Sequence, residues 1–222
     1  MSTTISTAEN LVELIERMPV DSVLTQHGVS WDDYEELLDS VGESSGIRIS
    51  YDDGTLQIMT LSFRHEKYVR TIERLVDVLS LRLRIKVLFY GSATMKKDRK
   101  KKGVEPDACF YVEKAGIVGT KDEIDLNTDP PPDVIVEIDL HHDSVSKFPI
   151  YAALGVPEAW RYDGDSLTIY ELRDEHYVAS QASLSLPILT SAVLTGFLAR
   201  SPKQDQYDIV LAFEDWLKSQ QQ

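Results

Sequence analysis

The chain has 222 residues, 42% of them hydrophobic, which fits one domain with a sizeable core and terminal additions. Its net charge of −14 argues against broad nonspecific adhesion to nucleic acid, and a single cysteine, Cys109, excludes a disulfide framework or a cysteine zinc site. No apolar run approaches the roughly 18 residues of a membrane helix, and the N-terminus lacks the features of a signal peptide, so we expect a cytoplasmic protein.

The first part of the chain predicts helices around a β-hairpin. Residues 7–18 and 31–38 have the pattern of two helices, and residues 46–60 alternate around the turn dipeptide Asp53-Gly54. The longest helix is predicted over residues 65–84, because its apolar residues recur every three or four positions and form one stripe.

The second part predicts a sheet with interspersed helices. We expect strands at 86–93, 107–113, 133–139, 159–162, 166–172 and 176–181, and helices at 144–154, 189–200 and 207–218. This order predicts an α/β domain in which a central mixed sheet is flanked by helices on both sides.

Two acids lie in apolar strands and form the candidate active site. Asp107 begins the predicted strand 107–113, and Glu137 lies near the end of the predicted strand 133–139. A carboxylate in a buried strand is costly unless its charge is compensated, and a divalent metal ion does this where two acids converge. Asp107 and Glu137 converge if the two strands pair antiparallel.

The neighbouring acids are assigned by spacing. Asp133 lies four residues before Glu137, about 13 Å away along a strand, too far to share an ion, and is interpreted as a strand-entry residue. Asp139 lies two residues after Glu137, on the same strand face, so three carboxylates around one cavity would suit Mg²⁺ or Mn²⁺. The alternative for Asp107 and Glu137 is a buried salt bridge with Lys147.

Five segments together resemble the putative restriction endonuclease (Uma) family of the PD-(D/E)xK nuclease superfamily, over about residues 30 to 200. They are Asp53–Met59, His65-Glu66, Gly103–Asp107, Pro132–Glu137 and Tyr151–Trp160. The resemblance implies a restriction-endonuclease-like domain over 31–200. We expect a helical extension over 1–30, and a C-terminal helix over 201–222 that packs on the same domain.

The resemblance also implies metal-dependent hydrolysis of DNA. By motif position, Asp107 and Glu137 would hold Mg²⁺ or Mn²⁺, and Glu66 would be a further acid of the site, although an acid in a first helical turn is equally explained by the helix dipole. Asp139 occupies the position of the motif lysine, and Lys147 is the nearest substitute, on the following helix. Cleavage of both strands would need two active sites, so a homodimer is expected.

A basic run directly precedes Asp107. Six of the seven residues from Lys96 to Lys102 are basic: Lys96, Lys97, Arg99, Lys100, Lys101 and Lys102. The run is either a solvated hairpin tip or a loop that contacts the phosphates of DNA.

The competing functional hypothesis is a catalytically inactive module that keeps the nuclease fold for binding or assembly. The acidic net charge and the displaced lysine favour this alternative.

Overall fold

The structure, a computed structural model, describes residues 7–42, 46–121, 123–141 and 143–221. Helices α1–α7 span Thr7–Arg17, Trp31–Val41, Phe63–Leu83, Ala115–Val118, Phe148–Leu154, Ser191–Leu198 and Gln206–Ser219. Two 3-10 helices span Asp98–Lys100 and Ser144–Lys147. Over these ranges, no helix has the length and apolar content needed to span a membrane.

The strands form two sheets. Strands β1–β11 span Val23–His27, Ile47–Asp52, Thr55–Thr60, Leu88–Gly91, Met95–Lys97, Lys102–Val104, Ala108–Tyr111, Val134–Ile138, Glu158–Tyr162, Leu167–Arg173 and His176–Ser180. The first sheet has the order β1-β3-β2-β6-β5 and is antiparallel throughout. The second has the order β11-β10-β9-β8-β7-β4 and is mixed, because β8 and β9 run parallel.

The mixed sheet flanked by helices confirms the predicted fold class. Helices α3, α6 and α7 pack on one of its faces with Val134, Val136 and Ile138, and α5 packs on the other with Ile135. Strand β8 is therefore buried on both faces, which explains its continuous apolar sequence. Each fully buried side chain of this kind contributes about 1.5–3 kcal/mol.

The first sheet was not predicted as a separate sheet, and three of its strands were missed. Strand β1 is short, polar and at an edge, so its sequence carries little alternation. Strands β5 and β6 have three residues each and lie within the lysine-rich segment, which was predicted as a loop. Pairing with β2 defines them, rather than any β propensity of their own.

Local signals fixed the elements that carry the site. Asp53 and Gly54 both have positive φ, 44° and 91°, which is the geometry of a tight hairpin turn between β2 and β3. Ser62 caps α3 by accepting a hydrogen bond from the backbone N–H of His65, at 3.2 Å. Helix α3 thus begins immediately beside the first sheet and runs across the second.

Candidate active site

Asp107 and Glu137 lie at adjoining ends of neighbouring strands. Strands β7 and β8 are antiparallel with Ala108 opposite Val136, and the backbone N–H of Asp107 continues this ladder by donating to Val136 O at 3.1 Å. The predicted antiparallel pairing is therefore confirmed. Both acids are buried, with exposed fractions of 2% for Asp107 and 0% for Glu137.

Basic side chains and a backbone amide surround the Asp107 carboxylate. His65 Nε2 lies 2.9 Å from Oδ2, the backbone N–H of Ile138 donates to the same oxygen at 2.7 Å, and Arg48 Nε lies 3.4 Å from Oδ1. Burial alone would raise the pKa of Asp107, but the hydrogen bond and charge of His65, followed by the charges of Lys147 and Arg48, hold this pKa below its ordinary value. Asp107 is therefore an anion in the folded protein.

Glu137 is held by Lys147 and Tyr151. Lys147 Nζ donates to Glu137 Oε2 at 2.9 Å, and the Tyr151 hydroxyl donates to Oε1. Burial, reinforced by the negative charge of Asp107, raises the pKa of Glu137 to about 7 although Lys147 opposes the shift. Burial lowers the pKa of Lys147, but Glu137 and Asp107 outweigh it and raise that pKa, so the ammonium stays charged.

Lys147 reaches the site from the end of a 3-10 helix. The side chain of Asp143, one residue before the predicted cap Ser144, caps this helix by accepting from the N–H of Val145 at 2.8 Å. Lys147 is the last residue of the 3-10 helix and directly precedes α5, which positions Tyr151 one turn further on. Lys147 is displaced from the motif position in the sequence, but in the structure it lies beside the carboxylate pair.

Asp139 is engaged by other partners. Its Oδ2 accepts hydrogen bonds from the N–H and hydroxyl of Ser144 at 2.9 and 3.0 Å and also from Arg161 Nε. Burial raises the pKa of Asp139, against the hydrogen bonds from Ser144 and Arg161. Asp139 consequently anchors the 3-10 helix to the end of β8.

Glu66 lies on the Arg48 side of the site. Its Oε1 is 3.4 Å from Arg48 NH2, and its side chain is 32% exposed. Arg48 therefore stands between Glu66 and Asp107, so the two acids are linked through a guanidinium group.

Of the four acids predicted to hold a metal ion, only Asp107 and Glu137 remain as candidate ligands. In the ranges that the structure describes, no three His, Cys, Asp or Glu side chains are placed to share one ion. The predicted cluster that adds Asp139 and Glu66 is therefore not assembled in this arrangement, because arginines hold both acids. Asp107 Oδ1 is a buried acceptor that receives no hydrogen bond and faces Arg48 Nε at 3.4 Å, so a cation ligated there would replace the guanidinium group as its counter-charge.

A cleft leads from the surface to Lys147. It encloses about 150 Å³ and is lined by Val23, Gln57, Met59, Asp139, Asp143, Ser144 and Lys147. One wall therefore comes from β1 and β3 of the first sheet, and the other from the end of β8 and the 3-10 helix. The cleft therefore lies between the two sheets and ends at Lys147, which contacts Glu137.

The basic run forms a hairpin at the opposite end of α5. Strands β5 and β6 pair antiparallel, as expected for a hairpin tip. Lys97 Nζ and Lys100 Nζ donate to the carbonyls of Leu154 and Ala153, at 3.2 and 2.6 Å, at the C-terminal end of the helix that Lys147 precedes. Seven helical residues rise about 10 Å, so this hairpin lies roughly that far from the site.

Three of the other four cations of this hairpin also contact protein groups. Lys96 Nζ lies 2.6 Å from Glu35 Oε1, Lys102 pairs with Asp52, and Lys101 Nζ lies 5.0 Å from the centre of the Trp31 ring. Arg99 is exposed at the tip.

Sequence reasoning missed Arg48, Tyr151 and Arg161 as parts of the site. Arg48 gave no signal, because it is the polar residue expected on the opposite face from Ile47, Ile49 and Tyr51, and such a residue is normally exposed, whereas Arg48 is 4% exposed. The hydroxyl contact of Tyr151 with Glu137 depends on the tertiary structure.

Asp133 lies outside the site, whereas His65 lies inside it. Asp133 Oδ2 accepts from the N–H groups of Val112 and Lys114 at 2.8 and 3.0 Å, so it binds the start of β8 to the chain after β7 and stays outside the site. His65, near the start of α3, is a buried partner of Asp107. The pair Asp107 and Glu137 is the one that the fold brings together.

Comparisons with known proteins agree with this architecture. The family model described as "Putative restriction endonuclease" (Uma2) matches residues 31–199. The crystal structure of "a putative nuclease belonging to DUF820" from Anabaena variabilis ATCC 29413 is similar with a TM-score of 0.52 and 14% identity, over 77% of this chain and 99% of that chain. No curated protein matches. Since the family model covers most of the chain, including both acids, this protein belongs to the Uma2 family of putative restriction endonucleases.

Proposed function

We propose that this protein is a metal-dependent endonuclease that hydrolyses DNA phosphodiester bonds at Asp107, Glu137 and Lys147. The observation that carries the proposal is the position of Lys147 Nζ, 2.9 Å from Glu137, on an acid pair that adjacent antiparallel strands bring together. Two acids and a lysine are the elements of the nuclease motif that the sequence resembles, and the chain supplies all three although the lysine is displaced.

Asp107 and Glu137 would hold Mg²⁺ or Mn²⁺. Asp107 offers the buried Oδ1, which receives no hydrogen bond and has Arg48 as its counter-charge, and Glu137 offers a carboxylate whose pKa of about 7 leaves it ionised in a substantial fraction at neutral pH. The ion supplies polarisation of the phosphate and a lowered pKa of bound water. Asp139 would act as a nearby acid that keeps the 3-10 helix in place.

The charged side chains around the acids would set their protonation. His65 and Arg48 keep Asp107 ionised, and the negative charge around Lys147 keeps its ammonium protonated. Lys147 would orient the attacking water or balance the negative charge that develops on the phosphate in the transition state. Tyr151 fixes the Glu137 carboxylate that Lys147 contacts.

The basic hairpin would contact the DNA backbone away from the cleavage point. Arg99 is the exposed cation at its tip, and Lys96, Lys97, Lys100, Lys101 and Lys102 would exchange their present partners for phosphates. Cleavage of both strands of a duplex by this arrangement would take two copies of the site, hence a homodimer.

The alternative is a catalytically inactive module with the same fold. It is favoured by the arginine contacts of Asp139 and Glu66, and by the lack, within the described ranges, of three metal-ligating side chains around one point. In that case the ion pairs around Asp107 and Glu137 stabilise the junction of the two sheets.

A cleavage assay with isosteric variants tests the proposal. Wild type, Asp107→Asn and Lys147→Met are incubated with supercoiled plasmid and with a single-stranded oligonucleotide in Mg²⁺ or Mn²⁺. We expect both variants to lose at least about a hundredfold in rate, as is typical when a charge-stabilising group is removed. Asp133→Asn is the matched control, since Asp133 is equally buried in the second Pro-Asp pair but lies outside the site, and it should cleave as wild type does.

Thermal unfolding in Mn²⁺ separates metal binding from catalysis. Manganese should raise the melting temperature of wild type and of Lys147→Met, because lysine is not a ligand, but not that of Asp107→Asn. Wild-type cleavage by Asp107→Asn would refute the site. Absence of cleavage by every protein with every ion would leave the inactive module as the function.

A further inference from the structure

We propose that the cleft between the two sheets binds one nucleotide of a single DNA strand, with its base against the wall formed by Gln57 and Met59. The inference rests on the proposed nuclease function and names the form of DNA that its site accepts. It is carried by the burial of the acids and by the size and walls of the cleft that leads to Lys147.

The acids are too deeply buried for the surface of an intact duplex. Asp107 is 2% exposed, Glu137 0% and Lys147 5%, so a phosphate must enter the protein to reach them. The phosphates of a duplex lie on the outside of a stiff rod, and the neighbouring nucleotides cannot follow one phosphate inward without unpairing. A single strand can bend at each backbone bond and present one phosphate at the end of a narrow cleft.

The cleft has room for part of one nucleotide. Its volume of about 150 Å³ corresponds to roughly five water molecules. Pockets for drug-sized ligands enclose about 300–1,000 Å³, so the cleft accommodates a fragment of a nucleotide with the remainder at its mouth. A double helix is far wider than this space.

One wall of the cleft is uncharged and the other is charged, as the base and the phosphate of a nucleotide are. The wall from the first sheet is uncharged: Val23 lies on β1, and Gln57 and Met59 lie two residues apart on β3 and so share one strand face. A methionine side chain adapts to a flat aromatic surface, and a glutamine amide pairs with base edges. These side chains suit a base and its sugar.

The opposite wall carries the charges that would meet the phosphate. Lys147 lines it directly together with Asp139 and Asp143, and Arg161 lies behind it, bonded to Asp139 and 3.4 Å from Asp143, so that the two cations offset the two carboxylates. A strand that enters with its phosphate toward Lys147 therefore places its base toward Gln57. Specificity for a base would come from the Gln57 side of the cleft.

Binding measurements test this assignment separately from catalysis. A fluorescein-labelled single strand and the corresponding duplex are titrated with protein in EDTA, and polarisation is recorded. We expect the single strand to bind at least about tenfold more tightly than the duplex. Gln57→Glu adds a negative charge inside the cleft without changing the side-chain volume and should weaken single-strand binding by about tenfold or more.

Gln26→Glu is the matched control. Gln26 lies on β1, opposite Leu56 in the ladder, whereas Gln57 pairs with Thr25, so the same charge is placed on the other face of the first sheet. This variant should bind the single strand within about twofold of wild type. Val23→Trp, which fills the cleft without adding charge, should weaken binding as Gln57→Glu does.

Several results would overturn the assignment: equal affinity for duplex and single strand, equal effects of Gln57→Glu and Gln26→Glu, or unchanged binding by folded Val23→Trp. The cleavage assay distinguishes the two proposals. Selective single-strand binding without cleavage would remove the catalytic function and keep the cleft assignment. Duplex cleavage as fast as single-strand cleavage would keep the catalytic function and remove the cleft assignment.

Discussion

Glu137 should make the protein less stable as the pH rises toward neutrality. Its pKa is about 7 in the folded protein against an ordinary value of 4.5, so between these values the folded state keeps a proton that the unfolded state has released. The unfolded state is then favoured as the pH rises, and the loss is complete above the folded pKa. At 1.36 kcal/mol for each pH unit, this one carboxyl group lowers the free energy of unfolding by about 3 kcal/mol.

The double variant Glu137→Gln/Lys147→Met isolates this contribution. It removes the titrating carboxyl group and the cation that would otherwise be left buried without its partner, whereas a single substitution would leave one uncompensated charge. The free energy of unfolding is measured by urea titration at pH 5, 6, 7 and 8, with tryptophan fluorescence as the signal. We expect wild type to lose about 2.5 kcal/mol more than the double variant between pH 5 and pH 8, because the titration begins above the ordinary value of 4.5.

Other groups do not obscure this difference. His65 also has a raised pKa and contributes with the same sign above its ordinary value of 6.5, but it is present in both proteins, and its main raising contact, with Asp107, is unchanged by the substitutions. Asp107 has a lowered pKa, so the stability it contributes is lost only as the pH falls below its ordinary value of 3.8, outside the measured range. If both proteins lose the same stability between pH 5 and pH 8, Glu137 is already ionised at pH 5 and the argument from its burial is wrong.

Two further substitutions test the packing and hydrogen bonding around the site. Gly103→Ala should lower the free energy of unfolding by about 1–3 kcal/mol, because a Cβ there would overlap the Tyr34 hydroxyl group, whereas Gly116→Ala, with nothing near its Cβ position, should not; urea titration of both variants measures the difference. Tyr151→Phe removes the hydroxyl that binds Glu137 Oε1 and should cost about 1–3 kcal/mol at pH 8, and a loss below about 0.5 kcal/mol would show that the carboxylate finds another donor.

The sequence by itself determined the elements that carry the acids. The apolar stripe of α3 and the continuous apolar run of β8 each follow from local periodicity, which depends only on the geometry of a helix or a strand. The spacing of Asp133 and Glu137 along one strand was sufficient to exclude Asp133, and its contacts with Val112 and Lys114 agree. Local patterns are reliable here because burial on one or both faces leaves a repeat in the residue types.

The tertiary structure alone decided how the charges of the site are compensated. The sequence predicted Lys147 as a partner of the acids, and the structure places it on Glu137, but the groups closest to Asp107 come from distant elements: Arg48 on β2 and His65 on α3. These two residues are 59 and 42 positions from Asp107, and no local pattern encodes such pairs. A long side chain meets its partner only after the two sheets have packed together, and the same packing creates the cleft that leads to Lys147.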